Sequence, residues 1–155
     1  MLVEPSLTVC ALALGVTAGL LAHEGCHAAV LRAGGIDYAV TFFPGSDGRP
    51  LGRLASCPWA VVRPNPTGRE PAWLLRAAAL APLSLSVPVF ALVAAGHPPT
   101  GDAPIGAALA LGWLACAIPS PQDFSVAFYA HQVLDAVDDA VAGDAGGTVA
   151  GPAAD

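Results

Sequence analysis

The sequence predicts an all-α membrane protein of about three transmembrane helices, with a segment of β-hairpin character in the first connection. Three observations carry this. Of the 155 residues, 55% are hydrophobic and 12% charged, where a soluble domain carries about a quarter charged. Three apolar segments reach or approach the roughly 20 residues that cross the hydrocarbon core of a bilayer. Polar stretches rich in proline and glycine separate them.

The first helix is expected over about 6–31, since the run from Ser6 to Leu31 is apolar except around His23, Glu24 and His27. The connection that follows begins with Tyr38-Ala39-Val40-Thr41-Phe42-Phe43, which has strand composition. The turn cluster Pro44-Gly45-Ser46-Asp47-Gly48 comes next, and Leu54 to Val62 offers a weaker return strand interrupted by Pro58. A small hairpin at the membrane surface and an irregular amphipathic loop both fit this pattern. A second helix is expected over about 72–95 and a third over about 103–122. Residues 1–134 then form one membrane domain. Beyond Leu134 the chain turns rich in Asp, Gly and Ala, so 135–155 is expected as a disordered acidic tail.

Charge sets the orientation and excludes one class of partner. The basic residues Arg32, Arg49, Arg53, Arg63, Arg69 and Arg76 all lie in or beside the first connection. Short cytoplasmic loops carry such an excess, so the expected protein is a multi-pass component of the cell membrane with this connection inside. A net charge of −6 excludes a nucleic-acid partner, which needs a concentrated basic face. The four cysteines form no CxxC pair and read as small apolar residues. The start of the chain carries Glu4 and no basic cluster, so its apolar run is expected to remain in the mature protein.

His23-Glu24-Gly25-Cys26-His27 is an HExxH motif. Residues four apart on a helix are separated by about 40° around the axis, so both imidazoles project from one face and can grip one metal ion. Glu24 lies on the neighbouring flank, placed to act on a metal-bound water. The competing reading is a polar seam between helices, with the two histidines and the glutamate hydrogen-bonded to neighbours; it leaves the spacing unexplained. Cys26 lies about 60° from His23 on the same helix. It could approach a metal or simply pack.

A catalytic zinc takes three protein ligands and keeps one position open. The candidates for the third are Asp37, Glu70, His97, Asp102, Asp123 and His131. Asp123 stands between apolar stretches in Ile118-Pro119-Ser120-Pro121-Gln122-Asp123-Phe124. His23 lies about 26 Å into the first helix and Asp123 about 30 Å into the third, so in the topology above both arrive near the cytoplasmic face. Pro119 and Pro121 interrupt the helix there and free carbonyls that must line a cavity or pack within protein. The alternative role for Asp123 is an interfacial cap where the third helix ends. Ser84, Ser86 and Pro88 in the second helix either pack closely or open a path for water.

An HExxH motif in the first of three core helices, with an aspartate near the end of the third, resembles the site-2 protease family of intramembrane zinc metalloproteases and the related small membrane zincins. The resemblance implies zinc held by His23, His27 and Asp123, with Glu24 as catalytic base. It also implies membrane-associated strands over the region of Tyr38 to Val62. The segment around Asp123 reads Ser-Pro-Gln-Asp-Phe, without the asparagine and glycine usual in the family. The expected activity is hydrolysis of a peptide bond in a membrane-protein or membrane-proximal substrate, within or at the edge of the lipid bilayer. The rival expectation is a non-proteolytic metal-binding or scaffold protein that retains the motif.

Overall fold

The computed structural model describes residues 3–42, 60–100 and 102–146, with backbone alone at Val3 and over 141–146. The chain is predominantly helical: α1 (Val3–Ala33), α2 (Ala72–Leu80), α3 (Ser86–Ala94), α4 (Pro104–Ala115) and α5 (Pro121–Gly146). A 3₁₀ turn, Ala81–Leu85, joins α2 to α3, and two short strands, β1 (Tyr38–Phe42) and β2 (Ala60–Pro64), follow α1.

Two helical segments are long and apolar enough to cross a membrane, Glu4–Ala33 and Ala72–Ala94. They match the first two expected spans. The second is not one continuous helix, because Pro82 has no N–H to continue the ladder and the chain tightens into the 3₁₀ turn. The third expected helix, over 103–122, differs more. Helix α4 stops at Ala115 after 12 residues, about 18 Å of rise, which falls short of a full span. Pro119 and Pro121 prevent its continuation, and Pro121 instead opens α5 at the first helical position, where its missing N–H costs nothing.

The strands form the hairpin and not the irregular loop. They pair antiparallel from Tyr38↔Pro64 to Phe42↔Ala60. The return strand therefore runs two residues past Val62; Phe43, the turn cluster and the segment from Leu54 to Trp59 lie outside the described residues.

The expected disordered tail is corrected over 135–146, which continues α5. Helix α5 kinks at Tyr129 (φ −111°, ψ 18°), and on either side of the kink Val126, Ala130 and Leu134 seat it against Leu31, Leu74, Leu75 and Ala78. That core anchors the helix, and alanines at 136 and 140 favour its continuation. Further contact comes from Gly68, where a Cβ would sit within 2.9–3.1 Å of Asp138. Residues 147–155 lie outside the described residues.

Helix α1 packs chiefly on α4, and on α2, the 3₁₀ turn and β2 toward its C-terminal half. The α1–α4 contact is close because it is built from small residues. A Cβ at Gly15 would lie 2.4 Å from the Leu109 carbonyl oxygen, and one at Gly112 would lie 2.6 Å from that of Leu12. One turn along α1 from Gly15, Gly19 meets Cys116, with a virtual Cβ 2.9 Å from its Cβ and Sγ. This is the small-xxx-small geometry of helices that associate by backbone approach in lipid.

Candidate metal centre

His23 and His27 are the buried polar residues among those described, each 8% exposed. Their one-turn spacing places them together on the inner face of α1, edge to face, with ring centroids 4.8 Å apart and planes 80° apart. Both direct Nε2 at one carboxylate. His23 Nε2 lies 3.4 Å from Asp123 Oδ2, and His27 Nε2 lies 3.3 Å from Asp123 Oδ1.

The other nitrogen of each ring is occupied. His23 Nδ1 is 2.7 Å from the Cys116 carbonyl oxygen and His27 Nδ1 is 2.7 Å from that of Ala78. A carbonyl only accepts, so each Nδ1 carries a proton and donates, the tautomer in which a neutral ring offers its Nε2 lone pair to a ligand.

These two carbonyls are available because helices break beside them. In a continuous helix Ala78 would accept from residue 82, but residue 82 is proline; the carbonyl takes the Ala81 N–H instead and uses its second lone pair for His27 Nδ1. Cys116 would accept from Ser120, but the Ser120 N–H donates to Asp123 Oδ2 at 2.6 Å. The Asp123 N–H donates in turn to Ser120 Oγ at 3.2 Å. Ser120 and Asp123 thus cap α5 reciprocally, in the pattern of a capping box. Asp123 therefore caps the start of α5 and not the end of the third helix, and the same carboxylate faces both histidines.

The donor set fits a divalent metal. A tetrahedral site with bonds of about 2.0–2.1 Å spaces its donor atoms about 3.3–3.4 Å apart; each imidazole lies at that distance from its own oxygen of the carboxylate. All three donors lie within 4.8 Å of one another. Two neutral imidazoles and one carboxylate can hold a metal ion here.

None of the other candidates joins this group among the described residues. The Glu70 carboxylate accepts from the Thr67 N–H at 2.9 and 3.0 Å and from its hydroxyl at 2.9 Å. Those bonds, the amide's first, hold its carboxyl below the ordinary range. His131 Nδ1 is 3.0 Å from Arg76 Nη2. His97 closes the turn after α3, donating its N–H to the Leu92 carbonyl, and Asp102 is exposed. Asp37 receives the Asn65 N–H on its carbonyl. Cys26 faces Ser84 Oγ at 3.8 Å, not the imidazoles. The Ser84 and Ser86 hydroxyls bond back to the carbonyls of Ala81 and Leu83, stabilising the 3₁₀ turn.

Glu24 opens onto the same cleft, a cavity of about 510 Å³ that also exposes His23, His27, Val62, Gln122 and Asp123. Its Oε2 accepts the Val62 N–H at 2.8 Å. The phase of the hairpin explains this contact. The Asn65 N–H donates to the Asp37 carbonyl at 2.7 Å, so the 37/65 pair is hydrogen-bonded and, by alternation, 40/62 is not. The Val62 backbone therefore turns away from β1 and toward α1.

Sequence reading located the histidines, Glu24 and Asp123, but not Val62, Ala78, Cys116 or Gly19. Pro82 marks the carbonyl at 78, and the Gly15-x-x-x-Gly19 spacing marks the α1–α4 contact. A side chain at Gly19 would push Cys116 away from His23. If the group holds a metal ion, Gly19→Val is expected to weaken its binding by about 10–100-fold, the loss typical when a ligand's outer hydrogen-bond partner is removed. Chelator competition measures this, with Gly19→Ala falling between.

Comparison of the chain with protein-family models, with curated proteins and with solved structures finds no match.

Proposed function

We propose that this protein is a membrane-embedded zinc peptidase that cleaves a membrane-buried or membrane-proximal peptide near the cytoplasmic face. The observation that carries the reading is the convergence of two Nε2 atoms on the Asp123 carboxylate, with Glu24 on the same cleft. Exposed apolar side chains along the helices, such as Leu14, Leu21, Val87, Phe90 and Leu111, support immersion in lipid. The short helix α4 and the break after it make up the third membrane segment.

His23, His27 and Asp123 hold the ion. Bound there, zinc polarises a carbonyl and lowers the pKa of a water to about 7. Glu24 takes the proton of the attacking water and returns it to the leaving amine. The Val62 amide fixes one Glu24 oxygen, which leaves the other to carry that proton. A substrate helix must unwind before its carbonyls are accessible, and β1, exposed from Ala39 to Phe42, offers an edge on which the unwound segment can pair.

Purified protein should hold about one zinc per chain. X-ray absorption should show nitrogen and oxygen neighbours at about 2.0–2.2 Å and no sulfur near 2.3 Å. Cleavage of a model membrane peptide should accompany it; stoichiometric zinc with no cleavage of any such peptide would favour the metal-binding scaffold. The orientation has its own test. A single cysteine placed at Gly48 is expected to react with an impermeant label from the cytoplasmic side alone, and reaction from outside would invert the topology.

A further inference from the structure

Beside the open cleft lies a second, much smaller cavity of about 40 Å³. The two share His27, Val62 and Asp123 as a common rim. Behind the rim the walls are apolar, formed by Leu31, Leu75, Ala79 and Val126. We infer that this cavity is a side-chain subsite that selects a small residue, such as alanine, serine or cysteine, next to the bond that is cut. The inference rests on the peptidase reading and names the substrate feature that reading lacks.

Position and size both point this way. A peptide whose carbonyl reaches the His27–Asp123 rim has its neighbouring side chain at the mouth of the cavity. A water needs about 10–15 Å³, while benzene occupies an engineered cavity of about 150 Å³. At about 40 Å³ the space takes a methyl, hydroxymethyl or thiol group and excludes leucine and aromatic side chains. The back wall does not yield, because Leu31 and Leu75 are each 2% exposed and belong to the core that joins α1, α2 and α5. Val126 is half-buried at the edge of that core, so its size can be changed without emptying the centre.

The experiment presents zinc-loaded protein in detergent with single-span peptides whose central residues are permuted among Gly, Ala, Ser, Val, Leu and Phe. Cut sites are mapped by mass spectrometry. The parent is expected to cut with a small residue on one fixed side of the bond, at least about tenfold over Leu, the discrimination available to an apolar pocket. Val126→Ala should extend cutting to Val and Leu at that side, and Val126→Leu should narrow it toward Gly, with zinc content reporting that each variant is folded. Cutting without size preference on either side, or a preference unmoved by both variants, overturns the subsite while the peptidase reading stands. No cutting by zinc-loaded parent overturns both.

Discussion

Glu24→Gln is expected to keep its zinc and to lose peptide hydrolysis by about 10²-fold or more. Glutamine has the size of glutamate, and its carbonyl oxygen can still accept the Val62 N–H that Glu24 Oε2 receives at 2.8 Å. Strand β2 should stay in place and the three donors should be undisturbed. What disappears is a group that can take a proton. Zinc stoichiometry and kcat on one peptide substrate measure both halves. Cleavage at the parental rate would mean that Glu24 is not the base, and the peptidase reading would fall with it.

Asp123→Ala should act on the metal itself. Loss of a direct donor is expected to lower zinc affinity by more than the 10–100-fold typical of an outer partner. The same change removes the acceptor of the Ser120 N–H, which costs about 1 kcal/mol of helix-cap stability. Asp123→Asn separates the two effects, since its carbonyl oxygen can accept from Ser120 while the charge is gone. Chelator competition and thermal unfolding should therefore rank the variants differently: Asn close to parent in stability but weak in zinc, Ala low in both. Parental zinc affinity in Asp123→Ala would move the third ligand elsewhere.

The His23/His27 pair was legible because i,i+4 spacing on a helix is a geometric statement that needs no tertiary information. Asp123 was legible as the acid set between apolar stretches, and the site brings it to both histidines. The start of the hairpin at Tyr38 followed from strand composition. What escaped was hydrogen-bond phase. Mean hydropathy over 72–95 is indifferent to the 3₁₀ turn at Pro82, and over 103–122 it runs across the break after Ala115. The acidic residues beyond Leu134 were read by composition, while the stripe Val126, Ala130, Leu134 that orders the helix lies just before them. Val62 escaped because a backbone amide has no signature in a side-chain pattern.

The acceptors that orient His23 and His27 belong to the peptide backbone, at positions 116 and 78. Residue 78 is already alanine, and Cys116→Ala leaves the acceptor carbonyl present, so alanine scanning would not detect either role. The site is instead sensitive to length. Inserting or deleting one residue between the helix break and the carbonyl turns that carbonyl by about 100° around its axis and points it away from the ring. Both positions are buried, so only small side chains should be tolerated at 78 and 116 among natural variants, while the four-residue intervals from 78 to 82 and from 116 to 120 should stay fixed.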